Sequence, residues 1–171
     1  IQIGLVDFEN GQLVTRFTYR MGGYDEDQSE IVKGMGDRKD TVTAALGVKH
    51  ELPWGAEFSA SWGIDALGVI GGSEGQLKID RSFQVGKNRF TPSIGINYLS
   101  PKMSAHDFGV PASKALPNRP AYKPGHIFNP EIGISSMFEI SESTALTANI
   151  SMEFLDSEVR ESPIITESEV Y

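Results

Sequence analysis

Three histidines, His50, His106 and His126, are the side chains best placed by type to move protons near neutral pH. His106 is followed by Asp107, and Ser104 and Ser113 lie nearby, so the parts of a hydrolytic triad occur within one stretch. No G-x-S-x-G elbow accompanies them, and no H-E-x-x-H or comparable metal spacing occurs. In extended backbone, neighbouring side chains point to opposite sides, so His106 and Asp107 are expected to point apart. The acidic run Asp25, Glu26, Asp27 and Glu30 has the donors for a divalent cation but not the glycine-turned spacing of a calcium loop. It reads as a solvated acidic loop. The segment Gly71-Gly72-Ser73-Glu74-Gly75 lacks the lysine and following helix of a phosphate cradle and reads as a flexible turn. No catalytic residue, cofactor site or metal site is assigned, and the protein is expected to be non-enzymatic.

The elements that must carry these residues are strands. Period-2 alternation recurs from end to end and helical periodicity is nearly absent, which predicts eight strands at 1–9, 12–21, 41–51, 55–64, 76–85, 89–99, 127–140 and 143–155. The connections alternate strictly. Asn10-Gly11 is the signature of a two-residue type I′ turn, in which both residues need positive φ. "LPW" (52–54), "GKN" (86–88) and "SE" (141–142) are also short, whereas 22–40, 65–75 and 100–126 are long. Tight turns at one end of a sheet and long loops at the other are the habit of outer-membrane barrels, with short turns in the periplasm and long loops outside.

The 171 residues carry 15 Lys and Arg against 23 Asp and Glu, a net charge of -8 that argues against nucleic acid as a partner. With no cysteine, disulfides and thiolate metal sites are excluded. No apolar run is long enough for a membrane-spanning helix.

Strand faces sharpen the choice. In 89–99, Phe90, Pro92, Ile94, Ile96 and Tyr98 oppose Thr91, Ser93, Gly95 and Asn97. In 143–155, Leu146, Ala148, Ile150, Met152 and Phe154 oppose Thr147, Asn149, Ser151 and Glu153. Small polar residues on one face suit a wet lumen, and apolar residues on the other suit lipid. A soluble sandwich has the same period with the wet face reversed. Arg81 disagrees with lipid exposure, since it shares a face with Leu77, Ile79, Phe83 and Val85. At mid-membrane it would cost about 2–4 kcal/mol, so a bulge, a rim position or a shifted register is expected there.

Four short segments occur in a specific order. They are Val32-Lys33-Gly34-Met35-Gly36-Asp37, closed by Asp40; Phe108-Gly109-Val110; Arg119-Pro120-Ala121-Tyr122-Lys123-Pro124-Gly125; and Glu161-Ser162-Pro163-Ile164-Ile165. With them, from about residue 11 to 165, the chain resembles the MltA-interacting protein (MipA/OmpV) family. The resemblance implies an all-β, antiparallel, up-and-down outer-membrane β-barrel of Gram-negative bacteria, embedded in outer-membrane lipid. It further implies a scaffold joining a lytic transglycosylase to a murein synthase, or else a porin-like or stress- and antibiotic-responsive protein. Gly34, Met35, Gly36, Asp37, Asp40, Phe108, Gly109, Val110, Arg119, Pro120, Tyr122, Ser162 and Pro163 are the positions expected to form a partner surface or a plug over the lumen. Asp37, Arg38, Lys39 and Asp40 are expected at the polar rim. Family members begin with a signal peptide and further strands and end on a terminal aromatic. This single domain is therefore expected to be clipped at both ends of a barrel of about ten to twelve strands.

Overall fold

A computed structural model describes residues 1–27 and 29–165. The chain forms one antiparallel meander: β1 (Gln2–Phe8), β2 (Gly11–Arg20), β3 (Thr41–Glu51), β4 (Glu57–Asp65), β5 (Ser73–Asp80), β6 (Phe83–Val85), β7 (Asn88–Leu99), β8 (Ile127–Ser141) and β9 (Thr144–Glu153). Each strand pairs with its sequence neighbour, except that β5 and β6 both pair with β7. Among the described residues β1 and β9 do not pair, so the curved sheet has two open edges. Every turn after β1, β3, β6 and β8 is short, and the long connections lie together at the other end.

Two expectations are corrected at the turns. The first hairpin closes on the pair Phe8↔Gly11, so its loop is Glu9-Asn10 rather than Asn10-Gly11. Only Asn10 has positive φ, 58°, which excludes the type I′ turn. The predicted strand 76–85 starts earlier, at Ser73, and is interrupted at Arg81-Ser82. Gly71-Gly75 is thus only partly a turn, and Glu74 and Gly75 are ladder residues.

The interruption has a physical cause. It lies opposite Pro92, which accepts a bond from the Arg81 N–H at 3.2 Å but has no N–H to return. Register is unchanged across it, Asp80↔Ser93 before and Phe83↔Phe90 after. Arg81 therefore stays on the outward face, near the short turn at Gly86, with its guanidinium 5.0 Å from the centre of the Phe83 ring. A shifted register is excluded, and Arg81 lies just beyond the end of β4, which pairs with β5 only as far as Glu57↔Asp80.

The apolar faces point outward. Ile94, Leu146 and Ile150 are exposed, Ile150 at 73%, while Asn97 turns inward to bond Gln76, Glu131 and Glu153. A soluble sandwich would bury those side chains. Trp62, Gly75, Tyr98 and Phe128 stand side by side across four strands. Trp62 lies over Gly75 and stacks on Tyr98 at 5.1 Å, and Tyr98 meets Phe128 at 5.1 Å. This is an outward aromatic patch of the kind found at membrane interfaces.

The buried apolar cluster lies outside the sheet, among the long loops. Val32 and Met35 from loop 21–40, Val110 from loop 100–126 and Ile164 pack together, flanked by Tyr24, Ile31 and Tyr122. Burying side chains of this size contributes about 1.5–3 kcal/mol each.

Candidate functional site

The long loops fold into a cap over the lumen. Loop 21–40 is closed at its base by Asp40, whose carboxylate accepts the Gly22 N–H at 2.8 Å and the Tyr19 hydroxyl. The Tyr19 hydroxyl, then the Gly22 N–H, hold the Asp40 carboxyl below the usual carboxylate range. Gly34 and Gly36 have φ of 77° and 83°, the left-handed turns that bring Met35 into the cluster between them. Glu26 then accepts from the Gly36 N–H at 2.9 Å, and Asp37 from the Glu26 N–H at 3.0 Å.

Loop 100–126 is not unstructured, as its sequence suggested. It holds α1 (Pro101–Phe108), a 3₁₀ turn (Ala112–Lys114) and a bridge between Val110 and Tyr122. Ser100 and Pro101 open α1 and Gly109 ends it, a start-and-stop signal present in the sequence. Met103 and Ser104 are its buried residues. The Ser104 hydroxyl donates to the Gly125 carbonyl at 2.6 Å and lies 3.1 Å from the Pro101 carbonyl, which makes it a structural clamp.

Two arginines sew the loops together. Arg38 donates to the Tyr24 hydroxyl at 2.8 Å and to the carbonyls of Ala105 and Gly109 at 3.2 and 2.8 Å, the C-terminal end of α1. It therefore lies inside the cap, not at the rim. Arg119 returns the favour from the other loop. It is buried and donates to the carbonyls of Ile31 (2.7 Å), Lys33 (3.0 Å) and Lys114 (2.8 Å).

The segment after β9 locks onto both. Asp156 accepts N–H bonds from Glu158 and Phe128, each at 3.0 Å, at the start of α2 (Ser157–Arg160). Those bonds, the Glu158 N–H first, hold its carboxyl below the ordinary range. Glu158 accepts from the Tyr122 hydroxyl through its carbonyl at 2.8 Å and from the Gly125 N–H through Oε2 at 2.9 Å. Burial, then the Glu158 charge, push the Tyr122 phenol above its ordinary value. The Ser162 hydroxyl reaches the Phe108 carbonyl at 2.6 Å.

Most positions singled out from the motifs thus meet in one structure. Pro120 is exposed and makes no polar link, and Pro163 is half-buried beside Ser162.

Beneath the cap is a cavity of about 1010 Å³ lined by both barrel wall and loop. Asp107 and Phe108 of α1 face into it, and Arg20 on β2 joins wall to cap by pairing with Glu74 at 3.2 Å and with Asp107. Sequence reasoning missed Arg16, Arg20, Glu74 and Glu131 as lumen groups, although strand alternation places all four on inward faces. His106 Nδ1 lies 3.0 Å from Asp107 Oδ1, so these two side chains meet rather than diverge; they sit on α1 and not in extended backbone. His126 bonds the Tyr98 hydroxyl at 2.8 Å, and His50 stacks with Phe8 at 6.4 Å. Among the described residues no group of three His, Asp or Glu is placed to hold a metal ion.

The family described as "MltA-interacting protein MipA" matches residues 2–171. The chain is 30% identical to outer membrane protein Omp26La of Vibrio anguillarum and 29% identical to outer membrane protein OmpV of Vibrio cholerae. Each comparison covers 91% of this chain and 61% of the relative, so the chain spans about three-fifths of their length. No solved structure matches. An apolar-out antiparallel meander, a polar lumen and a family profile over nearly every residue converge: the chain belongs to the MltA-interacting protein family and is an all-β outer-membrane protein.

Proposed function

We propose that this protein is a non-enzymatic outer-membrane scaffold, closed at its long-loop end, that holds peptidoglycan-processing enzymes, among them a lytic transglycosylase and a murein synthase. One observation carries the closed, non-porin part of this reading: Arg20 ties Asp107 of α1 to Glu74 of the barrel wall, so the loop folds over the lumen. The family's description supports the partner. Ser104 is bonded to backbone carbonyls rather than to the His106-Asp107 pair, which supports the non-enzymatic reading.

In planar bilayers the intact protein is expected to give little or no conductance, and Arg20→Ala is expected to raise channel openings at least tenfold. A lytic transglycosylase is expected to be retained by both forms on an affinity column. Large steady conductance in the unaltered protein, with no retained transglycosylase, would replace the scaffold with a small-solute channel. That second reading is favoured by the cavity's size and by the charged groups among its lining residues.

A further inference from the structure

We propose that the cavity beneath the cap is a binding site for a short zwitterionic peptide, its carboxylate held by Arg16 and its ammonium by Glu153 and Glu131. This stands independently of the scaffold, because a site in the lumen can hold a solute whether or not the protein also holds enzymes.

The charges lining the cavity are Arg16, Arg20, Glu74, Asp107 and Glu153. Arg20, Glu74 and Asp107 close on one another. Deeper in the lumen Lys49 pairs with Glu57 at 3.0 Å and Lys78 with Asp80 at 4.0 Å. Arg16 and Glu153 remain, one on β2 and the other on β9, and neither forms an ion pair among the described residues.

Arg16 is half-buried, yet its single side-chain bond is a 3.3 Å contact from Nη2 to the Ser61 hydroxyl, and its buried Nε has no partner. A guanidinium offers five donors in a fork that fits a carboxylate. On β9, Glu153 lies beside its cross-strand partner Glu131 on β8, and like charges so placed repel. Both accept from Nδ2 of the same amide, Asn97, at 3.1 and 3.0 Å. An ammonium placed between the two carboxylates relieves their repulsion, and a carboxylate satisfies Arg16. One molecule bearing both groups serves both ends.

Span sets the ligand's length. Six inter-strand steps separate β2 from β9, an arc of about 29 Å at ~4.8 Å per step, and the chord is shorter. After the Arg and Glu side chains reach inward, roughly the length of a di- to tetrapeptide is left, at about 3.4 Å per residue.

The test uses the full-length protein in detergent micelles and isothermal titration with three probes: tri-alanine, N-acetyl-tri-alanine and tri-alanine amide. Tri-alanine is expected to bind at least tenfold more tightly than either blocked probe. Arg16→Met should erase the preference over the amide, and Glu153→Gln the preference over the acetylated peptide. The probe comparison on unaltered protein does not depend on either variant folding. No detectable binding of tri-alanine at millimolar concentration, or equal binding of all three probes, would overturn the proposal. Binding of only the amide would also overturn it, leaving a site for cations.

Discussion

Arg119 shows how much one side chain carries here. Replacing it with Met leaves three loop carbonyls without their donor and is expected to destabilise the cap locally by about 2–4 kcal/mol, more than a tenfold rise in its open fraction. Faster protease cleavage within loop 21–40 is the readout. Lys at this position keeps the charge but loses the fork, and should recover only part of the protection. Asp156 adds a pH signature. Its carboxyl is held below its unfolded value of about 3.9 by the N–H groups of Glu158 and Phe128. The contribution to stability is thus complete above that value and is lost as pH falls through the folded one. Asp156→Asn should remove this step from the acid profile of protease resistance around residues 154–165. The sequence singled out Arg119 for a partner surface or a plug but not as a tie between loops, and it gave Asp156 no role beyond the end of a strand. What fixes them is which distant carbonyls and N–H groups the fold brings within 3 Å.

At the scale of elements, the strands could be read because lipid on one face and a wet lumen on the other force a period of two. Seven of the eight predicted strands survive with small shifts at their ends, and the eighth is divided by Pro92 on its neighbour, a cross-strand effect invisible in its own sequence. Helix α1 was missed for a different reason. Eight residues are too few to show a 3.6-residue stripe, although Ser100-Pro101 and Gly109 mark its ends. The outward aromatic row depends on Gly75, where an added Cβ would come within 3.0 Å of the Trp62 ring. Gly75→Val is therefore expected to push Trp62 off Tyr98, with a clear change in near-ultraviolet circular dichroism and in tryptophan emission. A variant with unaltered spectra would show that the stacking does not need that space.

For the whole molecule, sidedness is the first question. The chain has no cysteine, so single cysteines at Asn118 in the cap and Lys87 in a short turn give clean labels. A membrane-impermeant maleimide on intact cells should modify Asn118→Cys and spare Lys87→Cys; the reverse pattern would invert the barrel. Closure is the second. The unpaired edges of β1 and β9 expose backbone donors and acceptors that lipid cannot satisfy. We expect further strands to complete the barrel between them, and a disulfide engineered between β1 and β9 should not form in the membrane.

The cap also has a history written into its bonds. Its ties join residues 71 positions apart at Arg38–Gly109, 88 apart at Arg119–Ile31 and 54 apart at Ser162–Phe108. Contacts so remote carry a loop-closure cost that the strand meander, growing hairpin by hairpin, has already met by the time the loops come together. Assembly is therefore expected to be ordered in time, with the wall first and the cap last. Arg119→Met should leave the rate at which the strands become heat-resistant unchanged while slowing the later acquisition of protease resistance in the loops. Between those two moments the lumen stands uncovered, and a newly inserted molecule is briefly a different object from a mature one.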